Sequence, residues 1–228
     1  MCGRFTLCKP GDELAGIFDL VESPAIAPRF NIAPTQPAPI IRQTSNMVGR
    51  RLEALRWGLI PAWAKDPAIG SRMINARAET VSSKPSFRAA FRKRRCLVIS
   101  DGFYEWQKVD PAHSGSRPRK QPHYIHLRDG RPFAMAGLWE HWEGTDGTII
   151  ESCTIITTRP NEVVAPLHDR MPVILGATDY DKWLDPDNKK LDELQSLLEP
   201  CATGEMDAYP VSTRVNSPAN DSPDCIAR

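Results

Sequence analysis

Short apolar runs, broken by glycine, proline and polar residues, dominate the hydrophobic pattern of this chain. Gly3 to Cys8, Ile40-Ile41 and Leu52 to Trp57 read as strands. So do Leu97 to Ser100 and Phe103 to Val109, which flank an Asp101-Gly102 turn. Tyr124 to Leu127, Phe133 to Trp139, Ile149 to Thr157 and Met171 to Leu175 extend the series. Helical spacing is confined to a few segments. Pro10 to Leu20 opens on a proline and acids and places Leu14, Ile17 and Phe18 on one side. Pro85 to Arg95 carries Phe87 and Phe91 four residues apart, and Asp179 to Leu184 and Lys190 to Leu198 complete the helices. Residues 24–39 hold Pro24, Pro28, Pro34, Pro37 and Pro39, which predicts mostly extended loop. Trp57 to Trp63 predicts a loop that displays aromatics, and residues 110–121 a polar loop. Many strands, peripheral helices and short connections predict an α+β fold: one domain over residues 1–211 with a strand-rich, barrel-like mixed sheet. The Ser/Pro/Asn/Asp-rich tail, 212–228, is predicted to be flexible.

Composition narrows the class. A chain of 228 residues, 41% hydrophobic and 25% charged, can bury a sizeable core as a single soluble domain. The net charge is +1, but residues 1–130 carry 21 Lys/Arg against 11 Asp/Glu, while residues 131–228 carry 8 against 17. A basic front half fits a polyanion-binding face. No apolar run is long enough to span a membrane and no signal peptide opens the chain, so the cytoplasm, with association to the nucleoid, is the expected location. The six cysteines form no CxxC pair, so neither a zinc site nor any other metal or cofactor is expected. A monomer is the expected assembly.

The candidate chemistry starts at residue 2. The chain opens Met1-Cys2-Gly3-Arg4-Phe5. Removal of the initiator Met before a small residue leaves Cys2 with an amine and a thiol on adjacent carbons. The amine condenses with an aldehyde to an imine, and the thiol closes a five-membered thiazolidine. The two groups titrate at about 7.7–8.0 and about 8.5, so both have reactive fractions near neutral pH.

Four further signatures follow: Asn31-Ile32-Ala33-Pro34-Thr35, Asn75-Ala76-Arg77-Ala78-Glu79-Thr80, Gly102-Phe103-Tyr104-Glu105-Trp106 and His168-Asp169-Arg170-Met171-Pro172. Together with Cys2-Gly3-Arg4-Phe5, in this order, they resemble the SRAP family (SOS response-associated peptidase-like proteins), from Cys2 to about Pro210. The Trp57-Gly58-Leu59-Ile60-Pro61 stretch is similar to that family as well. The resemblance implies a protein that binds single-stranded DNA at an abasic site. It also implies a covalent thiazolidine between the terminal Cys and the ring-opened sugar aldehyde, which shields the lesion. It puts Cys2, Asn75, Glu105 and His168 at the active-site positions. The peptidase name implies removal of the residue before Cys2.

Residue chemistry bears on the same positions. Glu105, flanked by Tyr104 and Trp106, suits an acid/base with a raised pKa. His168 titrates near neutrality and can shuttle a proton. Asn75 can orient an amine or hydroxyl without changing its charge. An exposed strand carboxylate, a histidine held by Asp169 and a loop-capping asparagine are the competing structural readings. Arg4, Arg77 and Arg170 lie within two residues of these positions and are candidate phosphate partners. Trp57, Trp63 and Trp106 are candidate stacking surfaces. The basic run Arg88, Arg92, Lys93, Arg94 and Arg95 ranks below the motif arginines. Two other functions stay open: a cysteine peptidase built on Cys2 and His168, and a non-covalent module that reads a modified base.

Overall fold

The structure is a computed structural model and describes residues 2–43, 49–109 and 119–228. Among the described residues, thirteen strands and four α-helices follow the order β1 (Phe5–Leu7), α1 (Gly11–Phe18), β2 (Arg29–Ile32), β3 (Pro37–Arg42), β4 (Leu52–Trp57), β5 (Asn75–Arg77), α2 (Arg88–Lys93), β6 (Arg95–Ser100), β7 (Gly102–Val109), β8 (Arg119–Leu127), β9 (Phe133–Glu143), β10 (Ile149–Thr158), β11 (Met171–Pro172), β12 (Ile174–Leu175), α3 (Tyr180–Leu184), α4 (Leu191–Ser196) and β13 (Met206–Pro210).

Two sheets share the work. The larger runs β11-β10-β4-β3-β6-β9-β12, and β9 also pairs back onto β10. The pairings β10–β4–β3–β6–β9–β10 therefore close a five-strand ring, the barrel-like sheet expected from the sequence. Only the β10 pairings with β4 and β5 are parallel, so the sheet is mixed. The second sheet is antiparallel, in the order β13-β8-β7-β1-β2. Asp101-Gly102 marks the crossing between sheets: β6 ends in the barrel at Ser100 and β7 starts in the second sheet at Gly102. Gly102 sits under the Tyr124 ring, where a Cβ would come within 2.2 Å of the ring carbon.

One continuous core holds the domain. It includes Phe5, Leu14, Phe18, Ile40, Ile41, Trp57, Phe91, Leu97, Phe103, Ile125 and Trp183, all fully or almost fully buried. Phe87 and Phe91 seat α2 on it, as their spacing predicts. Each such side chain contributes about 1.5–3 kcal/mol by leaving water. A second, smaller cluster gathers Tyr104, Tyr124, Val215 and Cys225 on the outer side of the antiparallel sheet.

Several expectations change. The proline-rich stretch 24–39 contains β2 and the start of β3, because proline is tolerated where its missing N–H faces no ladder partner. Within the polar loop expected at 110–121, residues 110–118 lie outside the described residues, and from Arg119 the chain is already strand β8. The tail expected to be flexible is packed: Val215 and Cys225 are fully buried, and 3₁₀ turns form at Thr213–Asn216 and Pro223–Cys225. Several of its polar groups, among them Asn216 Oδ1 and the Asp221 carboxylate, hydrogen-bond to the protein.

Candidate active site

The amino-terminal segment is fixed between two strands. Phe5 lies opposite both Ile32 and Phe103, and Thr6 lies opposite Gly102. The Tyr104 N–H donates to Arg4 O at 3.0 Å. One more step of this antiparallel register sets Gly3 beside Glu105, so Cys2 enters the site next to that carboxyl. Thr6 and the Cys8 N–H both donate to the Asp101 carboxylate, locking the far end of the same strand.

Strand alternation decides what surrounds Glu105. Phe103 and Glu105 point to the main core, whereas Tyr104 and Trp106 point to the opposite face and the smaller cluster. The flanking aromatics expected to lower polarity around the carboxyl are therefore on the wrong side. Burial does that work instead, since Glu105 is only 2% exposed.

β10 brings the other two residues in. Its carboxyl half pairs with β5 on one side, Ile155 opposite Asn75 and Thr157 opposite Arg77. It pairs with β11 on the other, Thr158 opposite Met171. Asn75 and the His168-Asp169-Arg170 segment thus flank one strand end. Gly58 (φ +128°) lets the chain reach β5: its Cβ would lie 2.6 Å from Gly70 O, and Leu59 N–H bonds Met73 O at 3.1 Å. His168 ends a helical turn whose start is capped by Asn161, with Val164 N–H to Asn161 Oδ1 at 3.1 Å and His168 N–H to Val164 O at 2.9 Å. The sequence reading missed Asn161; its place just after Pro160, before the apolar Val163-Val164 pair, was the available cap signal.

The contacts join these residues into one site. Asn75 Nδ2 donates to Cys2 O at 2.8 Å. Asn75 Oδ1 is buried and accepts no hydrogen bond among the described residues. Cys2 is fully buried. Burial pushes its thiol well above the usual range, the Glu105 charge adds to this, and the amino terminus pulls the other way. Glu105 is pushed up to about 7, chiefly by desolvation and against the pull of the amino terminus. His168 is lowered, again chiefly by desolvation and then by the amino terminus. Its Nδ1 lies 3.0 Å from the Arg170 N–H and 2.8 Å from Asp169 Oδ1. The neutral ring accepts from the first, leaving Nε2 to carry the proton, and the protonated ring donates to the second.

The remaining candidates separate sharply. Arg4 is spent inside the protein, donating to Asn31 Oδ1 at 3.1 Å, Val215 O at 2.6 Å and Asn216 O at 3.2 Å. Arg170 is held by a two-pronged pair with Glu79, at 2.7 and 3.0 Å, and by Thr157 O. Arg77 is exposed, and its side chain makes no hydrogen bond or ion pair among the described residues. The expected trio of phosphate partners thus narrows to Arg77. Trp57 is completely buried, edge-on to Phe5, with its Nε1 donating to Ile74 O, so it is core and not a stacking surface. Trp106 is half-buried and donates to Asn216 Oδ1 at 2.7 Å. Trp63 is 59% exposed and lines a cleft of about 320 Å³ with Lys65 and Arg72. In the basic run, Arg95 is buried against four backbone carbonyls and Arg94 pairs with Glu140. Among the described residues no cluster of three or more His, Cys, Asp or Glu suits a metal ion, and no helix is long and apolar enough to cross a membrane.

Comparison with known proteins gives the same picture from a separate direction. The SOS response associated peptidase (SRAP) family matches residues 1–218. The abasic site processing protein YoqW of Bacillus subtilis is 47% identical over 230 residues, covering 99% of each chain. The abasic site processing protein HMCES of Xenopus tropicalis is 31% identical over 90% of this chain and 68% of its own. A crystal structure of a Bacteroides thetaiotaomicron protein superimposes with a TM-score of 0.82 at 31% identity, covering 100% of this chain and 99% of that one. With the family matched over residues 1–218 and Cys2, Asn75, Glu105 and His168 brought into one site, this chain belongs to the SRAP family.

Proposed function

We propose that the protein captures abasic sites in single-stranded DNA by forming a thiazolidine between Cys2, freed of Met1, and the ring-opened sugar aldehyde. The observation that carries this reading is a buried carboxyl, its pKa pushed up to about 7, beside Cys2, the second residue, whose carbonyl is held by Asn75. The names of the relatives, abasic site processing proteins, supply the substrate class.

The steps follow from the residues. Protonated Glu105 donates to the ring oxygen and takes up the C1 hydroxyl proton as the closed hemiacetal opens to the aldehyde, so the carboxyl is protonated again. The Cys2 amine adds to the aldehyde carbon, and the carbinolamine loses its hydroxyl as water with a proton from the same carboxyl. Ring closure then needs a sulfur nucleophile. Burial keeps the Cys2 thiol protonated, so the Glu105 carboxylate takes the thiol proton as sulfur adds to the imine carbon. A group near pKa 7 is present in both forms at neutral pH, which lets one side chain serve both steps. The open Asn75 Oδ1 is an acceptor for the amine N–H or a sugar hydroxyl, and neutral His168 offers its Nε2–H to the sugar oxygens. Arg77 would meet a phosphate beside the lesion, and Trp63 a neighbouring base.

A cysteine peptidase fits this electrostatic arrangement less well. Such a nucleophile needs its thiol pKa depressed by a paired histidine, and here burial and Glu105 raise it. The test is a denaturing gel of protein with abasic or undamaged single-stranded DNA. The wild-type chain gives a denaturant-resistant adduct with the abasic strand alone. Cys2→Ser keeps its amine and gives an adduct only when borohydride traps the imine. A stable adduct with Cys2→Ser, or none with wild type, defeats the reading.

A further inference from the structure

The Asn31-Ile32-Ala33-Pro34-Thr35 signature contributes nothing to the chemistry above, yet Asn31 is completely buried and fully engaged. Its Oδ1 accepts from Arg4 Nη1. Its Nδ2 is shared among three carbonyls of the carboxyl-terminal segment: Val215 O at 3.1 Å, Ser217 O at 3.0 Å and Asn220 O at 2.7 Å. Its backbone N–H donates to Asp221 at 2.9 Å, and the same carboxylate takes the Phe30 N–H and the Arg29 guanidinium. Arg4, two residues from Cys2, grips Val215 O and Asn216 O directly.

The same segment also reaches the strand that carries Glu105. Trp106 donates to Asn216 Oδ1 at 2.7 Å. On the other side of Glu105, Tyr104 donates its hydroxyl to Phe30 O at 2.7 Å. Val215 and Cys225 seat the segment against Tyr104 and Tyr124. Trp106, one after Glu105, and Arg4, two after Cys2, are thus bonded to one carboxyl-terminal segment that Asn31 holds, while Tyr104, one before Glu105, bonds to Phe30 beside Asn31.

We propose that Asn31 is a positioning residue for the Cys2–Glu105 pair, and that Val215–Asp221 is the strap through which it acts. β1 is only three residues long, and the segment before it lies outside any strand. Before Phe5 the bond from Tyr104 N–H to Arg4 O continues the register, so backbone pairing alone holds the amino terminus by few contacts. The Asn31–Arg4 contact and the strap add to that hold on one side, and Asn75 adds to it on the other. Reactions of this kind are sensitive to placement, since a displacement of about 1 Å can cost about 10²-fold in rate. This inference rests on the proposed chemistry but concerns a different set of residues.

The experiment measures the crosslinking rate at saturating abasic single-stranded DNA, with affinity for the undamaged strand and a thermal melt recorded alongside. Asn31→Ala should slow crosslinking by about 10-fold or more, leave affinity for undamaged DNA within about twofold, and shift the pH midpoint of the rate as Glu105 loses its fixed neighbour. Adduct formation at Cys2 with a small aldehyde, read by intact mass, should slow in parallel, because that readout needs no DNA. Should Asn31→Ala fail to fold, Asn216→Ala decides. It removes only the Trp106 contact at the exposed rim, and it should slow crosslinking several-fold without lowering the melting temperature. A wild-type rate and unshifted pH midpoint in the folded Asn31→Ala protein, or a wild-type rate in Asn216→Ala where the first cannot be used, overturns the proposal. Failure of the wild-type chain to crosslink would instead overturn the function on which it rests.

Discussion

At the scale of single residues, Glu105 joins the proposed chemistry to a cost in stability. Its folded pKa of about 7 lies above the ordinary 4.5, so the fold favours the protonated form. That stabilisation is fully present below about 4.5 and is lost as the pH rises through about 7, where the buried carboxyl ionises. Glu105→Gln never ionises. At pH 8 the variant should melt higher than wild type, by an equivalent of up to about 3 kcal/mol, and the gain should vanish by pH 4.5. The same change should slow adduct formation by about 10²–10⁴-fold with little effect on DNA affinity. Thermal melts at the two pH values and a single-turnover rate check the pair of outcomes. A variant that is no more stable at pH 8 would mean that the carboxyl is not desolvated. An unchanged rate would remove it from the mechanism.

At the scale of elements, the strands were legible wherever an apolar run met a turn. β4, β6, β7 and β10 stand within two residues of where the pattern puts them, because a strand with a buried face must alternate or run apolar. β5 and β13 were not legible. β5 is three residues of mixed character held by its parallel pairing with β10, and β13 exists because it completes β8; neither has a local signal. The residues Cys2, Asn75, Glu105 and His168 came out of chemistry and motif, but the reason for their meeting did not. That reason is the reach of β10, which runs to Thr158, past its pairings with β4 at Cys153 and with β9 at Ile155, and leaves a strand end to be flanked by β5 and β11. The partners of Arg4 and Trp106 were not legible for a matching reason. Their partners are carbonyls and an amide more than 100 residues away, on a tail whose composition suggested solvent. A surface stretch of Ser, Pro, Asn and Asp looks the same in sequence whether its polar groups face water or the protein.

At the scale of the whole molecule, the uneven charge of the chain gives a front half suited to a polyanion, and the site lies at the meeting of that half with β10 and β11. Arg77, exposed two residues from Asn75 and without a side-chain ion pair among the described residues, is the proposed phosphate partner, whereas Arg94 is paired with Glu140. Arg77→Ala should therefore flatten the plot of log K against log salt for single-stranded DNA by about 0.7 and weaken undamaged and abasic strands alike. Arg94→Ala should do less; the reverse ranking would move the DNA path onto α2. All of this serves one claim, that a free α-amine beside the Cys2 thiol makes the covalent bond. The most direct measurement compares the mature chain with one carrying an uncleavable residue before Cys2, on a denaturing gel with abasic single-stranded DNA. The account predicts that the mature chain is converted to adduct and that the blocked chain gives none while still binding the strand. A blocked chain that crosslinks at the rate of the mature one would contradict it.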